Sequence, residues 1–290
     1  MSDVSSTTSG DPTVLAVVVE SSRLAAALLD RDGVHLVRDR VTMPTRDVWR
    51  SLDRLIRRVV AAAPEGVARF DAVGVSCIGP IDDQAGAVSP PYVPGWTNFA
   101  LREHLEELTE QPVTLATSGG ASAEAERRFG EARGVTNFMS IVVDATVESA
   151  CVIDGQRLAG AHGNAGAINH VTVDPDGLEC WCGSRGCLEP YLSSIALEAE
   201  MNRPLRRANQ SIIERGGIMF GRALATSCAA IDLDRVFITG SVIDAFGDQL
   251  LDIARRELQA RSRLDNLSDL TLIEPVEHFA PLLRAASLVL

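Results

Sequence analysis

Three thiols crowd one short stretch, Cys180-Trp181-Cys182-Gly183-Ser184-Arg185-Gly186-Cys187, and His170 stands ten residues upstream of it. Thiolate sulfur and imidazole nitrogen are ligands that zinc favours, and a structural zinc ion takes four of them. Gly183 and Gly186 permit the tight backbone turns that aim several sulfurs at one point. The pattern points to one zinc ion held by His170, Cys180, Cys182 and Cys187. With four protein ligands no position is left for water, so such a metal is structural and not catalytic. Two other readings stand beside it. The thiols are incidental, or Cys180 and Cys182 form a redox disulfide, which their one-residue spacing disfavours.

Other side chains carry weaker signals. Asp82 and Asp83 share a turn and could act as acid or base, although most turn acids are solvated. Trp96 lies in a Pro/Gly-rich loop and could stack on a sugar face or anchor the loop to the core. Trp181, between two candidate ligands, would shield the metal. Arg203, Arg206 and Arg207 read as a solvated helix face. Cys77, Cys151 and Cys228 sit in apolar stretches and read as small buried hydrophobes.

These residues need a scaffold, and the chain is long enough to supply one. It has 290 residues, 46% of them hydrophobic, which favours two domains. The formal net charge of −12 disfavours nucleic acid and anionic lipid as partners. No apolar run reaches the ~18 residues of a membrane span. Residues 1–12 are polar, with neither the basic start nor the apolar stretch of a signal peptide, and read as a disordered tail. The expected location is cytoplasmic, where thiols stay reduced.

Val14–Val19, Leu24–Leu29 and Val34–Val41 read as a meander of strands. Over Asp47–Ala63 the apolar period changes to three and four, a helix with one apolar face. Ala72–Ile78 and Val113–Ala116 read as strands around a helix marked by Leu101, Leu105 and Leu108. The second half repeats the plan: strands at Met139–Val143, Cys151–Ile153 and Val171–Val173, then helices over Ser193–Ala208 and Ser211–Ala230. A strand at Val236–Thr239, a helix at Ala245–Arg261, a strand at Leu270–Ile273 and a helix at Ala280–Leu290 complete it. The expected fold class is α/β, with two lobes and a cleft between them. The first lobe would span 13–116, completed by 280–290, and the second 117–279.

The cysteine cluster and its surroundings resemble the ROK family of bacterial sugar kinases and repressors. The likeness is carried by Gly163-Asn164-Ala165-Gly166-Ala167-Ile168-Asn169-His170, by Asp174-Pro175-Asp176-Gly177, and by Cys187-Leu188-Glu189. Gly79-Pro80-Ile81-Asp82 through Trp96, Phe129-Gly130-Glu131, Asp154-Gly155 and Ala280-Pro281-Leu282-Leu283 fall where the family has similar runs. The resemblance implies two actin-like, ribonuclease-H-like lobes and a His-Cys-Cys-Cys zinc site. It also implies a sugar site, for which Gly79, Trp96, His170 and Glu189 are the candidates here.

Departures fall on the parts that do chemistry in the family. Its first phosphate turn, Asp-x-Gly-Gly-Thr-Lys, here reads Val18-Val19-Glu20-Ser21-Ser22-Arg23. Its second, Gly-Thr-Gly-x-Gly-x-Gly, here reads Asp144-Ala145-Thr146-Val147-Glu148-Ser149-Ala150. Bare glycines let backbone N–H groups approach phosphate oxygens, and the acids now present repel them. The family's catalytic Asp, in Asn-Asp-x-Asn, falls in Thr117-Ser118-Gly119-Gly120, and its sugar-binding Glu falls on Ala167. From these losses one expects no catalytic residue, no Mg-ATP, and a zinc-binding sensor of a sugar-like molecule or a partner-binding protein rather than an enzyme. The alternative is a divergent ATP-dependent sugar kinase acting on a hexose or amino sugar, with Asp82, Asp83 or Asp144 as substitute bases. The helix-turn-helix domain of the family's repressors is not expected, because about a dozen residues precede the first strand. A homodimer, or a mixed dimer with an active relative, is the expected assembly.

Overall fold

The computed structural model describes residues 13–290 apart from 65, 66, 68 and 277, so the expected tail at 1–12 lies outside the described residues. The chain divides into two compact units, the first running to Ala116 and including Phe279–Leu290, the second spanning Thr117–His278.

The first unit opens with an antiparallel meander of β1 (Thr13–Val19), β2 (Arg23–Leu29) and β3 (His35–Thr42). Every residue of β1 is buried, as its unbroken apolar run requires of a strand covered on both faces. In α1 (Val48–Ala61), Val48, Leu52, Leu55, Ile56 and Val59 form the single buried stripe that the period demands. Next come β4 (Phe70–Cys77), the short hairpin of β5 (Ile81–Asp82) and β6 (Ala87–Val88), α2 (Leu101–Thr109) and β7 (Val113–Thr117). The sheet order is β3-β2-β1-β4-β7, with β4 parallel to β1.

The second unit repeats this wiring. After α3 (Ser118–Arg128) come the antiparallel strands β8 (Phe138–Val143), β9 (Val147–Ile153) and β10 (Gln156–Arg157). Then follow α4 (Glu189–Leu192), α5 (Ser194–Met201), α6 (Gln210–Ile231), β11 (Arg235–Thr239), α7 (Ser241–Arg261) and β12 (Thr271–Ile273). The sheet order is β10-β9-β8-β11-β12. The last helix, α8 (Pro281–Ser287), packs in the first unit on the face of β1 that carries Val14, Ala16 and Val18. Gly74 of β4 makes room for it, since a Cβ there would strike the Ala285 backbone.

Four local expectations change. Val171–Val173 is no strand; Thr172 makes only an isolated bridge to Cys187. The helix expected over Ser193–Ala208 stops at Met201, because Asn202 takes a left-handed C-cap (φ 50°) and Pro204 follows. α3 was not legible as a helix: Ala, Gly and Ser dominate it, and no large apolar residue marks a period. Finally, β9 begins at Val147, so the expected turn is four residues shorter at that end. No described helix is long and apolar enough to cross a membrane.

Candidate functional site

In the second unit, two backbone segments run side by side and set the site. The Val173 N–H donates to Gly186 O (2.8 Å), the Leu188 N–H to Val171 O (3.1 Å) and the Glu189 N–H to Asn169 O (2.8 Å). This pairing sets Thr172 opposite Cys187 and His170 opposite Glu189, so the imidazole starts from the segment beside the last cysteine. Between them the chain folds back tightly: the Cys180 N–H donates to Ser184 O (2.9 Å) and the Gly183 N–H to Cys180 O (3.0 Å). Gly183 and Gly186 both take positive φ (90° and 71°), as the tight turns require.

One atom from each of His170, Cys180, Cys182 and Cys187 then lies within 4.8 Å of all the others, a group that could hold a metal ion. The Cys180 Sγ to His170 Nδ1 distance is 3.6 Å, and Cys182 Sγ to Cys187 Sγ is 3.8 Å. A tetrahedron with metal–sulfur bonds of ~2.3 Å has sulfur–sulfur edges of about 3.8 Å, so the spacing fits. Burial pushes the Cys180 thiol up to about 12 and raises Cys187. At Cys182 burial is outweighed by the Ser184 N–H and neighbouring thiols, and the net shift is downward. Burial lowers His170, keeping its imidazole neutral and able to ligate. Trp181 is 41% exposed and packs edge-on to His170 at 4.9 Å between ring centroids, a partial shield.

Glu189 heads α4 two residues beyond the last cysteine and is 1% exposed. Its Oε2 accepts from the Val147 N–H (2.9 Å), while Oε1 is buried with no partner in hydrogen-bonding geometry. Burial pushes this carboxyl up to about 8; the Glu148 charge adds to that, against the Val147 N–H and Ser193 hydroxyl.

The loop that carries His170 is pinned by a residue sequence reasoning passed over. Ser149 donates from Oγ to Gly166 O (2.7 Å) and accepts there from the Ile168 N–H (2.9 Å). Gly166 (φ 85°) approaches β9 so closely that a Cβ would come within 2.6 Å of Cys151 N. Asp144 acts similarly: its Oδ1 accepts from the Ser241 N–H (2.6 Å) at the start of α7, and its backbone O from the Ser194 N–H (2.8 Å). A polar residue at 149 inside an apolar strand was the one available signal.

Of the remaining sequence candidates, Gly79 and Trp96 belong to the first unit. Gly79 follows β4, half-buried. Trp96 is 5% exposed and stacks on Phe99 (4.5 Å, 9°), so it serves as the core anchor and offers little ring face to a ligand. Asp83 is held by Arg102 (2.6 Å), and Asp82 Oδ1 accepts from the Ala85 N–H (3.1 Å).

The repeated sheet topology defines the class: an α/β protein of two actin-like lobes. The ROK family pattern matches residues 14–289, and the chain belongs to the ROK family. It is 26% identical over 261 residues to an N-acetylmannosamine kinase of Haemophilus influenzae (strain PittEE), covering 84% of this chain and 85% of that protein. Among solved structures it resembles a ROK hexokinase from Thermus thermophilus, with 28% identity, a TM-score of 0.75, and 95% and 97% of the two chains covered. It also shares its fold with a ROK transcriptional regulator homologous to the Mlc protein of E. coli, with a TM-score of 0.83 at 23% identity over 97% of this chain and 78% of that one.

These likenesses overturn the expectation of a non-enzyme, since the relatives similar in sequence along most of the chain, at 26% and 28% identity, are named as kinases. The expectation against Mg-ATP falls with it. The physical reason lies in what phosphoryl transfer asks of a protein. Its transition state is loose, so positioning and electrostatics outweigh proton removal. Phosphate is also gripped largely by backbone N–H groups, and these remain when glycine is replaced by any residue but proline, even where the added side chain narrows their approach. Side-chain losses in the two turns are therefore a weak measure of activity.

Proposed function

We propose that this chain is an ATP-dependent kinase of a hexose or an N-acylated amino hexose. We propose also that it carries one structural zinc ion on His170, Cys180, Cys182 and Cys187. The observation that supports the sugar site most directly is Glu189: a buried carboxyl group with one oxygen lacking a partner. Buried polar atoms are nearly always satisfied, and a sugar hydroxyl, which both donates and accepts, suits that oxygen whether or not it carries the proton. His170, on the paired segment, would be placed by the metal and lend its ring to the same pocket wall. The zinc would supply rigidity alone, having no open position for substrate.

Ser118 stands where the family places a carboxylate base, so the reaction is slow. Its hydroxyl cannot take a proton at neutral pH, and loss of a general base typically removes ~10²–10⁴-fold of rate. The test is sugar-dependent ADP release from Mg-ATP, assayed at high enzyme concentration with glucose, mannose, N-acetylglucosamine and N-acetylmannosamine. Turnover with one of these, raised by roughly 10²-fold in Ser118→Asp, is the expected result. Folded, zinc-loaded protein that releases no ADP with any sugar, in both forms, overturns the reading. Metal analysis tests the zinc separately.

A further inference from the structure

The first unit holds a cavity of 460 Å³ on the α8 side of its sheet, far in sequence from the metal cluster. Arg23, Arg38, Arg40 and His35 line it, over an apolar floor that includes Val18, Ala25 and Leu282. Nothing in the reading of the second unit uses this cavity.

Its construction follows from strand register. Arg40 pairs with Ala25 and Arg38 with Ala27, so both arginines share the face that Ala25 and Ala27 turn toward α8. Simple alternation would place Leu36 next on that face. The register shifts between Leu28 and Leu29, however, and Leu29 pairs with His35. The bulge brings His35 into line with the two arginines, a re-aiming for which bulges are known. The alanines opposite leave open the volume that larger side chains would fill.

Charge accounting then selects the ligand. Arg23 is engaged by Glu20 (2.5 Å), and the lining Asp39 by Arg58 (2.7 Å). Among the described residues, no carboxylate lies within salt-bridge distance of Arg38 or Arg40. Two uncompensated guanidinium groups therefore face one cavity in a chain whose formal net charge is −12. The His35 Nε2 atom is buried without a hydrogen-bond partner. Burial and the Arg38 charge lower this imidazole, so it stays neutral and can donate one N–H. Guanidinium forks match phosphate oxygens in pairs, and a volume of this size admits a small metabolite.

We propose that this cavity is a binding site for a small phosphate monoester, its dianion held by Arg38 and Arg40 and its organic part resting on Val18, Ala25 and Leu282. Val18 and Arg23 at its edge belong to the first phosphate turn, whereas Arg38 and Arg40, which hold the phosphate, lie on β3 outside the sugar and phosphate motifs.

Isothermal titration of the full chain in low-salt buffer tests it, with phenyl phosphate, inorganic phosphate and citrate as probes. Phenyl phosphate is expected to bind one per chain, more tightly than inorganic phosphate or citrate. Arg38→Gln/Arg40→Gln should weaken it at least about tenfold, as loss of charge-assisted hydrogen bonds does. Arg38→Lys, which keeps the charge and loses the fork, should give a smaller loss. Arg57→Gln, on an exposed face of α1, should change nothing. Absence of saturable phenyl phosphate binding overturns the proposal, as does unchanged affinity in the double variant. Citrate binding as tight as phenyl phosphate overturns the phosphate assignment.

Discussion

The turn after β1 and the turn after β8 join the first two strands of sheets with the same order, yet they are used in opposite ways. The first, Glu20 to Arg23, closes on itself: the Glu20 N–H donates to Arg23 O (3.0 Å), and the two side chains pair at 2.5 Å. The second is tied to everything around it. Asp144 holds the starts of α5 and α7, Val147 holds Glu189, and Ser149 holds the His170 loop. The two turns thus differ in structural role. In the first the side chains satisfy each other; in the second, side chains and backbone brace Glu189 and the loop that carries His170.

The contrast can be broken experimentally, beginning with the largest effect. In Cys187→Ser, zinc in protein purified without chelator should fall below about half an equivalent, since a closed site needs all four ligands. Hydrogen exchange should then accelerate over residues 168–189 and leave β1 and β2 unaltered. Acid should mimic the substitution. The thiols must lose protons to bind metal, and burial holds Cys180 up at about 12 and Cys187 high in the metal-free form. Zinc occupancy should therefore be full in mild alkali and fall with falling pH, as equilibrium dialysis would register.

Gly119→Ala comes next. A Cβ there would lie 2.5 Å from Ser149 N, against strand backbone that cannot yield. A loss of about 3 kcal/mol is expected, seen as a lowered thermal midpoint. Ser149→Ala should cost about 2 kcal/mol, because it strands the buried Ile168 N–H and frees Gly166 O. Faster exchange of the Ile168 amide would locate the damage. Asp144→Ala should cost about 1 kcal/mol through loss of a carboxylate at the start of α7. Glu20→Ala should cost under about 0.5 kcal/mol, as an isolated surface pair does. Equal losses in Glu20→Ala and Ser149→Ala would erase the distinction between the turns.

Much of this was legible from residues alone. Buried strands announced themselves as continuous apolar runs, and α1 by its three- and four-residue steps. The four metal-ligand candidates were legible because glycines and thiols at that spacing have few other uses. α3 was not, since a helix of small residues packed at close range carries no apolar period. Nor could residue types show that Trp96 spends its ring on Phe99, or that Ser149 bonds across to a loop seventeen residues away.

By itself the sequence determined the α/β class, the repeated element order and the set of candidate metal ligands, because each depends on residues near one another in the chain. Only the tertiary structure decided which polar groups face one another. It left Glu189 Oε1 buried without a hydrogen-bond partner and gave the turn after β8 its structural duties. It also set His35, Arg38 and Arg40 on one wall through a single register shift. Strand register and buried hydrogen bonds depend on segments distant in the chain, and no local pattern encodes where those segments meet.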